Sequence, residues 1–133
     1  MKVYMESIGG KSAATKMAMI RGDDETLLVP LATSDGAECA MQDGDTLTLT
    51  VRETPSAESP VLIQITGAPG SNRIPIAHAD TAQLEPGWYS ADIQLMTADG
   101  MRKTVWPDYE FPASRISPKN MSNFAIMPEV TML

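Results

Sequence analysis

Between Pro86 and Leu95 the chain alternates without interruption: Tyr89, Ala91, Ile93 and Leu95 fall on one side, Trp88, Ser90, Asp92 and Gln94 on the other. Successive strand side chains point to opposite faces, so this pattern predicts a strand with one buried face. Pro86-Gly87 supplies the turn before it. Asp99-Gly100 permits a tight reversal after it, and Met101 to Trp106 is expected to run back alongside.

The same two-residue rhythm recurs along the chain. Leu47, Leu49 and Val51 alternate with Thr46, Thr48, Thr50 and Arg52, placing β-branched and apolar residues dry and threonines wet. Thr26 to Leu31 aligns Leu27, Val29 and Leu31, with Pro30 placing it near a sheet edge. Val61, Ile63 and Ile65 form a further inward row, as do Ile74 and Ile76. Short strands are also expected over Lys2 to Met5, Lys16 to Ile20, Tyr109 to Phe111 and within Phe124 to Leu133. Turn-forming residues separate them at Arg21 to Glu25, Ser34 to Gly36, Asp43 to Asp45, Thr54 to Pro60 and Gly67 to Asn72. One helical turn is expected, over Asp80 to Glu85, with Asp80 or Thr81 capping it, Leu84 packing inward and Pro86-Gly87 ending it. Seven to nine short strands at this spacing predict an all-β, antiparallel β-sandwich.

A length of 133 residues suits one domain with its own core. The expected organisation is an N-terminal arm over 1–19, a sandwich over 20–112, and a C-terminal loop and strand over 113–133 packed on the same domain. With 10 Lys and Arg against 17 Asp and Glu, the net charge of −7 argues against nucleic acid and anionic membranes as partners. No apolar run approaches a membrane span, and no signal peptide is evident, which together point to assembly in the cytoplasm. Cys39 is the single cysteine, so no internal disulfide and no thiolate metal cage can form.

Candidate chemistry is sparse. His78, the single histidine, would need Cys39 or a serine beside it and a carboxylate to orient it, and no nucleophile motif surrounds any serine. Zinc lacks enough Cys and His ligands. Asp23, Asp24 and Glu25, or Asp43 and Asp45, offer clustered oxygens, but neither set follows the spaced loop that calcium favours. Arg21-Gly22-Asp23 spells an integrin-type tripeptide and reads as a charged turn. No pair of carboxylates is spaced for glycoside cleavage. No cofactor and no enzymatic activity are expected.

The candidate contact residues are instead Trp88 and Trp106, whose flat apolar rings suit protein contacts or sugar platforms when exposed, and Met17 and Met19. Of ten methionines, Met17 and Met19, Met121 and Met127, and Met132 form clusters toward the two chain ends, where they serve either as core filler or as a repackable surface.

Several of these stretches together carry a family pattern. Arg21-Gly22-Asp23 leading into Thr26-Leu27, Gly44 to Arg52, Ala79-Asp80-Thr81 with Leu84, Pro86-Gly87-Trp88-Tyr89, Asp92 to Leu95, Ala98-Asp99-Gly100 and Thr104-Val105 resemble the N-terminal domain of phage upper baseplate proteins. That domain belongs to prophage tail regions, and the resemblance spans about residues 20–112. It implies an Ig-like sandwich and a non-enzymatic structural role in a phage or prophage tail. The implied partners are copies of itself and other tail proteins, met in the host cytoplasm during assembly and then in the virion tail. The alternative is a carbohydrate-binding or adhesin-like module using exposed tryptophan.

Overall fold

The structure is a computed structural model that describes residues 2–3, 17–29, 31–32, 38–107 and 122–130. In chain order the strands are β1 (Lys2–Val3), β2 (Met17–Ile20), β3 (Glu25–Leu28), β4 (Leu31–Ala32), β5 (Glu38–Cys39), β6 (Thr46–Arg52), β7 (Val61–Thr66) and β8 (Arg73–Ile76). A helix, α1 (His78–Ala82), then precedes β9 (Gly87–Met96), β10 (Arg102–Trp106) and β11 (Phe124–Met127). Among the described residues three of these strands have two residues each, and the other eight stand beside one short helix. The all-β sandwich expected from the alternation is the architecture observed. The strand expected over Tyr109 to Phe111, the Ser34 to Gly36 turn, Met121 and Met132 lie outside the described residues.

The main sheet has six strands in the order β2-β11-β9-β6-β7, with β10 also on β9. A β3–β8 ribbon forms the second layer, with β8 against β6 and β7, and β1, β4 and β5 make a small third sheet. All pairings are antiparallel except β2 with β11, which run parallel, a departure from the purely antiparallel expectation. Leu47, Leu49 and Val51 of β6, Ile93 and Leu95 of β9, Ile74 and Ile76 of β8, and Leu27 and Val29 form the dry interior. That is the inward set which period-two patterning selects.

Two strands break that rhythm, each at a β-bulge. Thr104 pairs with Gln94 and Trp106 with Ile93, so Val105 is an extra residue. A bulge re-aims the side chains beyond it, and here it turns Trp106 to the inward face beside Ile93. Trp106 is consequently fully buried among the core residues, which corrects its assignment as a candidate contact residue. In the same way Val51 pairs with Ile63 and Arg52 with Val61, skipping Leu62. Val61 therefore joins Arg52 on the outer face, and the inward row begins at Ile63 instead.

Strand β9 is satisfied on both edges by a relay. Along one edge it pairs with β6 from Ser90 to Met96. Along the other, β10 covers Ile93 to Met96 and β11 covers Gly87 to Tyr89, which leaves Ala91 between them. Asn123 fills that place. Its Oδ1 accepts from the Ala91 N–H at 2.8 Å and its Nδ2 donates to the Ala91 carbonyl at 2.9 Å. Its own N–H donates to the Tyr89 carbonyl at 2.9 Å, and its carbonyl accepts from the Met17 N–H at 2.8 Å. A carboxamide carries the same donor and acceptor as a peptide group, so this buried side chain stands in for one residue of strand.

At one end of the sandwich, Asp45 ties three turns together. Its carboxylate accepts from the Gln42 N–H at 3.1 Å and the Ala98 N–H at 3.3 Å, and its carbonyl accepts from the Gly70 N–H at 2.8 Å. Gly44 beside it has φ +86°, and a Cβ there would stand 2.9 Å from that of Ala98, so both conformation and space require glycine.

Asn123→Ala is expected to destabilise the fold by about 2–4 kcal/mol, because it strands one buried N–H and one buried carbonyl. A lowered midpoint in urea unfolding checks this. An unchanged midpoint would mean that water or a neighbour replaces the amide.

Candidate functional site

The side chains singled out in the sequence do not converge. Met17 and Met19 lie on the inward face of β2, buried in the core against their assignment as contact residues. The reason is the parallel pairing with β11, which puts Met17 beside Phe124 and Met19 beside Ile126, both buried. Trp88 does reach the outer face of the main sheet and is 56 % exposed.

His78 opens α1, earlier than the start expected at Asp80. A five-residue helix is too short to hold itself, and the Arg21 to Asp24 turn clamps it from both ends. The Asp24 carboxylate accepts from the His78 N–H at 2.6 Å, with its Oδ1 also 3.0 Å from the His78 ring Nδ1. At the other end Arg21 donates to the Ala82 carbonyl at 2.6 Å, and between them the Gly22 N–H donates to Thr81 Oγ1 at 2.8 Å. An anion at the helix start and a cation at its end is the favourable polarity. Asp80, expected at the helix start, instead stands in the third helical position, where its carboxylate reaches back to accept from the Ala77 N–H at 2.8 Å. Hydrogen bonding from the His78 backbone, then from its ring, holds the Asp24 carboxyl below its ordinary range.

This geometry accounts for the acidic turn and for the Arg21-Gly22-Asp23 tripeptide. Asp24 and Asp80 are committed to backbone N–H groups, as is Asp45 in the other acidic pair. Among the described residues no group of three or more His, Cys, Asp or Glu side chains is placed to hold a metal ion. The His78 ring is engaged with the Asp24 carboxylate, 3.0 Å from its Nδ1.

The site with the most developed geometry is a cleft on the outer face of the main sheet, which the sequence pattern marks only as the wet side. Strand register sets its floor: Thr50 of β6 stands between Gln64 of β7 and Asp92 of β9, and Arg52 stands opposite Ser90. Gln94 and Thr104 continue the floor onto β10, while Thr54 to Ala57 of the β6–β7 loop and Pro107 form walls. The cleft is half open to solvent and has a volume of about 540 Å³. Gln64 Nε2 donates to Thr50 Oγ1 at 3.2 Å, and Arg52 donates to the Ser59 carbonyl, which draws the loop over the sheet. Ser90 is buried with its hydroxyl unpaired, a condition that costs about 1–3 kcal/mol. Partial burial raises the Asp92 carboxyl above its ordinary value, and the nearby Arg52 charge only partly opposes this. Asn123 lines the cleft where it bonds Ala91.

The same face changes character toward the N-terminal end of β9. There the outward residues are Trp88, then Ala125 and Met127 of β11, then Ala18 and Ile20 of β2. Ile20 and Met127 are register partners, 46 % and 48 % exposed. Among the described residues no helix is long and apolar enough to cross a membrane. No family model matches the chain, and neither a curated protein nor a solved structure matches it.

Two carboxylates give opposite pH signatures. Asp24 is held low in the folded state, so its contribution is present above the unfolded carboxyl value and fades as pH falls through the folded one. Asp24→Ala should therefore lower the melting temperature at pH 7 and have little effect near pH 2. Asp92 is held high, so its ionised form opposes folding at neutral pH. Asp92→Asn should raise the melting temperature at pH 7, and the gain should shrink below the ordinary carboxyl value. Thermal melts of both variants across pH 2 to 8 check the two signs.

Proposed function

We propose that this protein is a non-enzymatic structural subunit of a phage or prophage tail or baseplate. It acts through contacts with copies of itself and with neighbouring tail proteins, first in the host cytoplasm and then in the virion. The observation that carries the reading is the apolar end of the outer face beside strand β2. Among the described residues β2 pairs only with β11, leaving its other edge open. Natural edge strands are blunted by charge, proline or a bulge, and Met17-Ala18-Met19-Ile20 has none of these. Exposed Ile20 lies on that edge strand and exposed Met127 beside it on β11, with Val130 almost fully exposed just beyond. An edge strand with apolar side chains around it is suited to strand addition from a partner.

An all-β sandwich is the class of fold that the resemblance implies, and the negative charge directs the reading toward protein partners. His78 is occupied in holding α1 to the Asp24 turn, which supports a role other than catalysis.

Light scattering across a concentration series, with co-purification against tail proteins encoded beside this one, tests the proposal. Self-association or a stable complex is expected. Ile20→Lys and Met127→Lys should each weaken it by about tenfold or more, without lowering the melting temperature, since both side chains are exposed and a charge at an edge opposes pairing. A strict monomer that joins no tail protein, or association indifferent to both substitutions, would sink the reading.

A further inference from the structure

The cleft over β6, β7 and β9 has no part in that association, since it occupies the polar half of the face, and its chemistry points to a ligand. We propose that it is a binding site for a neutral, hydroxyl-rich ligand, a glycan. Its volume of about 540 Å³ lies in the range of small-molecule sites, roughly 300–1,000 Å³.

The lining selects the chemical class. Thr50, Gln64 and Gln94 each present both donor and acceptor capacity, which matches hydroxyl groups that also do both. They stand on neighbouring strands, spaced by about 4.8 Å across the sheet, so a ring laid on the floor meets several at once. Arg52 and Asp92 supply one charge of each sign. An anionic ligand attracted by Arg52 would be opposed by Asp92, and a cation would face the reverse. A neutral ligand gains charge-assisted hydrogen bonds from both. Ser90 at the floor retains a buried hydroxyl with no partner in the fold, which a small shift on binding would allow a ligand oxygen to satisfy. The floor is already held in place: Arg52 and Ser59 fix the loop wall, and the Asn123 amide fixes β9 at Ala91.

This site differs from a platform built on the two tryptophans. Trp106 is in the core, and Trp88 lies on the same face of β9 as Ser90 but outside the lining. The full chain should be screened on an array of neutral and acidic glycans, with hits titrated by NMR. At least one neutral oligosaccharide is expected to bind and to perturb the amides of β6, β7 and β9. Gln94→Ala and Asp92→Asn should each weaken binding tenfold or more with no loss of melting temperature, both being away from the dry interior. Trp88→Ala should leave the perturbed amides in the cleft. Silence across the array together with no shifts at millimolar sugar would overturn the proposal. So would binding confined to sulfated, phosphorylated or sialylated glycans. Binding untouched by both cleft variants but lost in Trp88→Ala would also overturn it, placing the site on the tryptophan.

Discussion

A strand in the middle of a sheet needs hydrogen-bond partners along its whole length on both edges, and β9 meets that demand through three successive partners on one side. β10 covers its C-terminal half and β11 its N-terminal end, and the Asn123 carboxamide closes the gap at Ala91. An unfilled gap there would leave a buried N–H and a buried carbonyl unpaired, which folded proteins rarely tolerate. Asn123 also fixes the direction of strand β11. With its backbone bonded to Tyr89 on one side and Met17 on the other, the next four residues must run between β9 and β2, and the parallel pairing of β2 results from that placement.

Most of the inward face is legible from alternation alone, and the places where alternation misleads share one cause. Period two identifies a buried face only while the ladder keeps its count. At Val105 and at Leu62 one strand gains a residue on its neighbour, so every side chain beyond the bulge changes face relative to simple alternation. Trp106 goes in and Val61 comes out. No local signal in Arg102 to Trp106 or in Val61 to Thr66 announces this. The cue is in the partner strand, because Trp106 must lie beside inward Ile93 and Val61 beside outward Arg52. For Met17 and Met19 the alternation holds, but methionine suits core and surface equally, so which face is buried depends on Phe124 and Ile126 more than a hundred residues away.

The candidate sites show the same separation between composition and arrangement. The charged residues of the Arg21 to Glu25 turn are plain in the sequence, and the use of Arg21, Gly22 and Asp24 is not, because their partners lie 54 to 61 residues away on α1. Asp45 is a similar case: Gln42 is local, but Ala98 is brought to it only by folding. A carboxylate aimed at backbone N–H groups is a fastening for turns, and the sequence offers no means of telling it from a ligand. Asn123 is silent in the sequence for the opposite reason, since a lone asparagine at the end of a polar stretch resembles any loop residue.

The outer face of β9 owes its two characters to this change of partners. Where β9 runs beside β6 and β10, its outward Ser90, Asp92 and Gln94 sit among Thr48, Thr50, Arg52 and Thr104, and the wet side is polar and indented. Where it runs beside β11, outward Trp88 meets Ala125, with Met127, Ala18 and Ile20 beyond, and the surface is apolar. The boundary falls at Ala91, the residue held by the Asn123 amide. Asn123 also lines the cleft, so one side chain both completes the sheet and marks the boundary between an apolar part of the outer face and a polar, indented one. A sheet with a single, continuous partner on that edge would have presented one uniform face. Splitting the edge between two strands allows ten residues of β9 to carry both.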